Sequence, residues 1–218
     1  MNRKIRFGLL IGLSLIVLAC AAWAQMTFFL VDNFEDGNYT QNPEWYTFGN
    51  VKAEVVKNQF QSSKDVVAQT AGNSILLIKG ETKDWYVGGI GTSLNIDATD
   101  FSRVQFDVFG SDAGGTLKVE LYQDDDYSGG IELDSNKNWE PIADSRWVAE
   151  INLLGPGFTR YSIPFSAFRH DNPGVGADKW NPTKKGNAGG LMKIQFVAIG
   201  KSKESKVDFA LDNIILTY

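Results

Sequence analysis

The sequence predicts an all-β protein built as a jelly-roll β-sandwich of two antiparallel sheets. Short runs alternate between apolar and polar residues, glycine-rich turns separate them, and no heptad or sustained helical stripe appears. The run RVQFDVF at 103–109 shows the pattern, since Val104, Phe106 and Val108 share one face while polar residues occupy the other. Alternation with a period of two is typical of a half-buried strand. The spacing of such runs and their turn chemistry favour a sandwich.

The same criteria place the other strands along the rest of the chain. In order, they are predicted at 27–32, 44–49, 51–57, 74–79, 85–94, 115–123, 146–153, 158–164, 191–199 and 206–217. The glycine-rich segment GSDAGG separates the runs at 103–109 and 115–123. Because such a segment is typical of a tight turn, we expect these two runs to form an antiparallel hairpin.

The first 24 residues have the features of a secretory signal peptide. Residues 2–6 supply a basic start, residues 7–22 are almost wholly apolar, and AWA at 22–24 offers the small residues that cleavage requires. The apolar run is short for a membrane anchor, and no stop-transfer charges follow it. We therefore expect residues 1–24 to be removed during export.

The predicted mature chain, residues 25–218, is a single domain that is secreted, periplasmic or held at the cell surface. Lipoprotein processing is the less favoured alternative, because VLAC, which ends at Cys20, resembles a bacterial lipobox only loosely. Cys20 is also the only cysteine, so the mature chain has no disulfide available. Its stability must come from its core and from any bound metal.

The mature chain is strongly acidic. Removing the signal takes away three of the 21 basic residues, which leaves 18 against 26 acidic residues and a net charge of −8. This balance argues against nucleic acids and anionic membranes as partners, since both carry dense negative charge.

Acidic residues lie beside strand-forming runs at both ends of the predicted domain. The segments VDNFEDG and VDFALDNIILTY have matching apolar character, which predicts that the first and last strands are neighbours. Asp32, Glu35 and Asp212 would then converge, and their oxygens suit a hard cation such as structural calcium. Ordinary solvated turns are the alternative. We interpret a further acidic run, DDDY at 124–127, as a solvated hairpin tip.

Several segments in order carry more specific information. They are VDNFEDG, DWYVGGIGTSL, FSRVQFDVFGSDAGGTLKVELYQ, FTRYSIPFSAFRHD, LMKIQFVAIG and VDFALDNIIL. Together they resemble the family 11 carbohydrate-binding modules over residues 29–218. The resemblance implies a galactose-binding-like jelly roll that binds β-glucan in a concave cleft without catalysis and carries structural calcium. The related complex I intermediate-associated family shares this scaffold, so the fold alone specifies no sugar.

The resemblance also implies which residues contact the glycan. Asp84 and Tyr86 match the family's carboxylate and stacking tyrosine, and Arg169 matches an arginine at the cleft rim. Gln195 falls where the family has a polar histidine, and only Trp180 is available to replace a further stacking tyrosine. These residue types suit the ligand, because a glucan presents weakly apolar sugar faces edged by hydroxyl groups.

Strand alternation adds candidates of its own. The apolar residues of 115–123 take the core face, which leaves Lys118, Glu120 and Tyr122 facing outward, where they can reach the cleft. Trp85 and the tyrosine after it point to opposite faces. The sequence leaves open which of these two rings looks into the cleft.

The predicted function is non-catalytic binding of a β-glucan-like polysaccharide, with a cell surface or an enzyme complex as a possible partner. A glycoside hydrolase is the less favoured alternative, because the sequence has no Glu-x-Asp-x-x-Glu run to place two carboxylates across a cleft. It also has no serine elbow, phosphate-binding glycine loop or pair of metal-ligating histidines. The remaining alternative is a structural or adhesive envelope protein without a sugar ligand.

Overall fold

The computed structural model describes residues 28–60 and 72–218. The predicted signal peptide over 1–24 and the alternative lipidation at Cys20 lie outside these ranges. Strands and two short 3-10 turns make up the regular structure of the described residues. None of the described helices has the length and apolar character needed to cross a membrane.

The described residues form sixteen strands. They are β1 (Phe28–Asp32), β2 (Trp45–Gly49), β3 (Val51–Lys57), β4 (Ser74–Glu81), β5 (Tyr86–Ile96), β6 (Arg103–Gly110), β7 (Thr116–Gln123), β8 (Leu133–Asp134), β9 (Glu140–Pro141), β10 (Ser145–Asn152), β11 (Gly157–Pro164), β12 (Arg169–His170), β13 (Lys184–Lys185), β14 (Ala188–Gly189), β15 (Leu191–Ile199) and β16 (Lys206–Thr217). The longer strands closely follow the predicted ones, and β8, β9 and β12 to β14 are short additions within predicted loops.

Two six-stranded antiparallel sheets form the sandwich, which confirms the predicted fold class. Sheet I has the order β11-β6-β16-β4-β3, and β1 also pairs with β16. Sheet II has the order β12-β10-β7-β15-β5-β2. As predicted, the first and last strands are neighbours, with Phe28 opposite Thr217 and Asp32 opposite Ile214.

The predicted hairpin between β6 and β7 is wrong. In the structure β6 pairs with β11 and β16 in sheet I, whereas β7 pairs with β10 and β15 in sheet II. The intervening segment at 111–115 therefore crosses from one sheet to the other. Each strand has one apolar face, and both faces are satisfied when the strands cover the same core from opposite sides. Alternation reports which face is buried and not which sheet a strand joins.

Aromatic residues form the centre of the core between the sheets. Trp45 contacts Phe34 and Phe196 at ring-centroid distances of 6.1 and 6.2 Å, and Phe106 meets Phe196 edge-on at 5.2 Å. Buried Asp32 accepts a hydrogen bond of 2.8 Å from the Trp45 indole nitrogen, so the polar end of this ring is satisfied. This core fixes the two sheets against each other and sets which side chains of each strand point outward.

Candidate functional site

A trough of about 500 Å³ runs over the outward face of sheet II. Its floor comes from β2, β5, β7, β10 and β15, and one wall comes from the segment between β7 and β10. The lining residues are Tyr46, Phe48, Gly49, Tyr86, Lys118, Glu120, Tyr122, Leu133, Asn138, Trp139, Arg146, Lys193, Gln195, Val197 and Ile199.

Glycines in β5 create the space in which floor residues of neighbouring strands meet. Tyr46 and Gln195 are register partners of Gly91 from opposite sides. A Cβ at Gly91 would lie 2.6 Å from the Tyr46 hydroxyl oxygen and 2.7 Å from Cγ of Gln195. Because no side chain occupies this space, Gln195 Nε2 donates to the Tyr46 hydroxyl at 2.6 Å across the strand. Gly89 leaves space for Phe48 in the same way, because a Cβ at Gly89 would lie 2.6 Å from the Phe48 ring.

A hydrogen-bonded network covers the middle of the floor. The Tyr122 hydroxyl oxygen lies 2.7 Å from Oε2 of Glu120 and 2.8 Å from Oε1 of Gln195. Since the hydroxyl carries one proton, it donates to only one of these acceptors at a time. Burial raises the pKa of Tyr122, and the Glu120 charge raises it further, so the phenol stays neutral at physiological pH.

Cationic side chains hold the carboxylates around the floor. Lys118 Nζ lies 2.9 Å from Glu120 and 3.2 Å from Asp171, and Arg146 lies 2.9 Å from the same oxygen of Asp171. Burial alone would raise the pKa of Asp171, but these cations hold it below its usual value. Lys193 Nζ lies over the rings of Tyr122 and Tyr46, at 5.1 and 5.9 Å from their centroids. Burial lowers the pKa of Lys193, an effect that Glu120 opposes.

Three rings in the trough expose much of their surface. Trp139 is 64% exposed, Tyr86 50% and Tyr46 37%. Trp139 follows Asn138 at the end of the short β8–β9 hairpin, and both have left-handed backbones, with φ of 59° and 54°. A positive φ is unusual for a bulky aromatic residue. In Trp139 this backbone conformation occurs together with a side chain that lines the trough wall and is not part of the core.

Three of the predicted glycan contacts lie together in the trough. Tyr86, Tyr122 and Gln195 all line it, and so do Lys118 and Glu120, as the alternation of β7 requires. Tyr122 itself is only 4% exposed, so little of its ring surface is available for stacking.

The remaining predicted contacts do not line the trough. Asp84 is exposed in the turn before β5, and Arg169 lies on the edge strand β12, where it pairs with Asp171 and, at 3.4 Å, with Glu150. Arg169 is thus connected to the trough only through Asp171, which also pairs with Lys118 and Arg146. Trp180 lies away from the trough altogether.

The packing of Trp180 explains its position. Its ring lies 4.9 Å from that of Phe165 and 5.8 Å from that of Trp147, and it packs against the main core cluster. It therefore does not stack on a ligand in the trough, because its half-buried ring packs against the core at another part of the surface. The open question about Trp85 is also answered: this ring lies beside Gly115 and Ile199 in a separate depression.

The predicted calcium ligands do not form a common carboxylate cluster. Both carboxylate oxygens of Asp32 already accept hydrogen bonds, from the Phe34 amide and the Trp45 indole, each at 2.8 Å. Within residues 28–60 and 72–218, Asp32, Glu35 and Asp212 are not a group whose oxygens lie within 4.8 Å of one another. Calcium binding by Asp32, Glu35 and Asp212 stays a prediction.

The acidic run at 124–127 is not a solvated hairpin tip. Asp124 is only 2% exposed and accepts backbone hydrogen bonds from Gly129 and Gly189 at 2.9 and 2.7 Å. The run begins at the base of the segment, because β7 and β10 pair directly at Gln123 and Ser145, and only its later residues, such as Asp126, are exposed.

The main residues that sequence reasoning missed are Tyr46, Phe48, Trp139, Arg146 and Lys193. The first two had a usable signal, since they alternate with the core residue Trp45 in a short aromatic run. Arg146 also follows from strand alternation once β10 is known to neighbour β7. Trp139 had no such signal, because its position depends on the conformation of a long segment between strands.

Comparisons with known proteins bear on the fold. No family model and no curated protein matches the chain. A family 11 carbohydrate-binding module from Clostridium thermocellum, solved with a β-1,3-1,4-mixed-linked tetrasaccharide, matches with a TM-score of 0.55 and 17% identity over 89% of this chain and 97% of its own. A second structure, the family 11 module of a cellulosomal cellulase from that organism, matches with a TM-score of 0.53 and 17% identity over 89% of this chain and 96% of its own.

A xylan-binding CBM22-1 domain from Paenibacillus barcinonensis also matches, with a TM-score of 0.50 and 14% identity over 89% of this chain and 97% of its own. At these identities the likeness concerns the arrangement of strands. The chain therefore has the β-sandwich fold of the family 11 carbohydrate-binding modules.

Proposed function

We propose that the protein binds a polysaccharide chain in the trough of sheet II. The observation that carries this proposal is the placement of exposed rings and a fixed polar network on one concave face. Trp139, Tyr86 and Tyr46 supply apolar ring surface of the kind that sugar faces cover. Glu120 and Gln195 supply hydrogen-bonding groups between those rings.

The polar groups are held ready for hydroxyl groups of a sugar. Glu120 is fixed by Lys118, and Gln195 is fixed between two tyrosine hydroxyls. Groups that are already positioned lose little conformational freedom when a ligand binds, which favours affinity. Charged acceptors and donors also form stronger hydrogen bonds with hydroxyls than neutral ones do.

We propose a β-glucan-like chain as the ligand. Support comes from the resemblance of the sequence to family 11 modules and from the shared fold with a module solved with a mixed-linked β-glucan tetrasaccharide. We also propose export through residues 1–24, which agrees with an extracellular polymer as ligand. Structural calcium at Asp32, Glu35 and Asp212 stays a prediction, and a separate carboxylate cluster is described in the next subsection.

The trough favours binding over hydrolysis. Glycosidases of the common types use two carboxyl groups, about 5–9.5 Å apart, on either side of the scissile bond. Among the described residues that line the trough, Glu120 is the only acidic one. Its carboxylate is also engaged by Lys118 at 2.9 Å and by the Tyr122 hydroxyl at 2.7 Å. We therefore propose that the protein performs no chemistry on its ligand.

Affinity electrophoresis in gels containing mixed-linkage β-glucan, cellulose oligomers or xylan tests the proposal. The wild type should be retarded most by mixed-linkage β-glucan, and Trp139→Ala and Tyr86→Ala should each weaken retardation by about tenfold, since a lost stacking ring costs on the order of 1 kcal/mol. Trp85→Ala is the matched control, because this tryptophan is 51% exposed outside the trough.

Unchanged mobility of the wild type in every gel would overturn the proposal and favour a structural or adhesive role. Equal losses in Trp85→Ala and Trp139→Ala would contradict the assignment of the trough as the binding face.

A further inference from the structure

A second feature of the molecule lies next to the trough, where the chain leaves β7 and enters β10. Carboxylate oxygens of Asp124, Asp126 and Asp144 lie within 4.8 Å of one another. Asp124 directly follows β7 and Asp144 directly precedes β10, so the pairing of Gln123 with Ser145 brings these two carboxylates together. Both are almost fully buried, at 2% and 0% exposure.

The local chain directs alternate side chains into this cluster. Asp124 and Asp126 both accept from the amide of Ser128, at 3.2 and 2.9 Å, so the chain turns around them. The residue between them, Asp125, points away and is satisfied by Ser145 and by the amide of Ala177. The cluster therefore has a defined inner side, separate from the hydrogen bonds that anchor the segment from outside.

One oxygen in the cluster has no partner. Asp144 Oδ1 accepts from the Asp125 amide at 2.9 Å, but Oδ2 is buried and receives no hydrogen bond. Within the described parts of the chain, no lysine, arginine or histidine forms an ion pair with Asp124, Asp126 or Asp144.

Buried carboxylates without a compensating charge are costly. The unpartnered Oδ2 of the fully buried Asp144 therefore favours a positive charge in the cluster, either a proton or a cation. A cation satisfies several oxygens at once, whereas a proton satisfies one pair.

We propose that Asp124, Asp126 and Asp144 bind one calcium ion at the base of the segment between β7 and β10. The donor set consists of carboxylate oxygens, which hard divalent cations prefer. Calcium accepts several carboxylates in irregular geometry, whereas magnesium needs near-octahedral geometry and keeps much of its water. The protein supplies no thiolate or imidazole in this cluster, as zinc or copper would favour.

The position of the ion gives it a structural consequence. The segment from 124 to 144 carries Leu133, Asn138 and Trp139, which line the trough wall. An ion that holds both ends of the segment together would fix this wall relative to the floor. This proposal concerns the cluster itself and does not depend on the identity of the ligand in the trough.

Isothermal titration calorimetry of the purified full-length chain, freed of divalent ions with a chelator, tests the proposal with calcium chloride and with magnesium chloride. We expect one calcium ion at this cluster and weaker binding of magnesium. In a melting curve with calcium at about a hundred times its Kd, the midpoint should rise by about 5 °C. Asp144→Asn and Asp126→Asn should each lower calcium affinity by about tenfold or more.

Asp126→Asn keeps the test informative if the buried variant fails to fold, because Asp126 is exposed. Asp112→Asn, an exposed aspartate in the crossing segment, is the matched control and should bind calcium as the wild type does. The absence of calcium binding to the wild type, equal affinity for magnesium, or full calcium affinity in Asp126→Asn would each overturn the proposal. So would equal losses in the control.

Discussion

The two sheets of the sandwich present very different outward faces. On sheet I, Phe109 is covered by Phe60 in a stacked contact of 3.8 Å, beside a small apolar cluster that includes Ile75 and Phe158. On sheet II, the equivalent face carries the trough, where the rings of Trp139 and Tyr86 remain exposed. The same alternating pattern therefore gives a ring that is covered by another ring on sheet I and rings that remain exposed on sheet II.

Charged residues differ in the same way. On sheet I, Asp107 is fully buried and held by Arg160 through two contacts of 2.7 Å, and Asn213 donates to it at 3.0 Å. On sheet II, Glu120 is held by Lys118, but the network opens into the trough. Outward polar groups on sheet I thus form a buried ion pair, whereas those on sheet II line the trough of the proposed binding site. The following predictions test this difference, beginning with the largest expected effect.

The pH dependence of stability should reveal the buried charge on sheet I. Burial, with the nearby Asp107 and Glu35 carboxylates, raises the pKa of Asp212 to about 7 from 3.8. The folded state then binds more protons than the unfolded state between these values, so the unfolding free energy falls as pH rises from about 4 to 7. The shift corresponds to at most about 4 kcal/mol.

Urea denaturation of the wild type and Asp212→Asn at several pH values, with chelator present, measures this effect. The variant should show a shallower decline in unfolding free energy between pH 4 and 7. Parallel curves for the two proteins would show that Asp212 is ionised in the folded state throughout this range.

Replacing Arg160 with methionine should destabilise the protein by about 3 kcal/mol, because it leaves Asp107 buried beside Asp212 without its cation. Arg169→Met on sheet II is the matched control, since its 60% exposed side chain should contribute less than about 1 kcal/mol. Chemical denaturation measures both. Similar losses would contradict the distinction between the two faces.

Gly91→Ala should damage the trough more than the fold. The added Cβ would lie 2.6 Å from the Tyr46 hydroxyl and 2.7 Å from Gln195, so these side chains must separate. Overpacking of this kind costs about 1–3 kcal/mol of stability. We expect a cost at the lower end of that range, because the two side chains face solvent and can move apart. Retardation in a β-glucan gel should fall by about tenfold, whereas Ser93→Ala on the same strand should leave it unchanged. If Gly91→Ala is retarded as strongly as the wild type, glycan binding does not depend on the hydrogen bond between Gln195 and Tyr46.

Much of the fold was predictable because strand alternation records burial directly. The pattern of β7 placed Lys118, Glu120 and Tyr122 outward, and all three line the trough. The same pattern gave the wrong partner for β7, because two strands on opposite sides of one core look alike in sequence. Trp180 was misplaced for a related reason: an aromatic residue in a loop can serve the core as readily as a ligand.

The sequence by itself determined the all-β class, the positions of the longer strands and the pairing of the first strand with the last. These follow from short-range alternation and from composition, which act along the chain. Only the tertiary structure decided which strands share a sheet, that Trp139 faces the trough, and that Asp124 and Asp144 meet at the ends of β7 and β10. Those outcomes depend on contacts between segments far apart in sequence, whose energies no local pattern encodes.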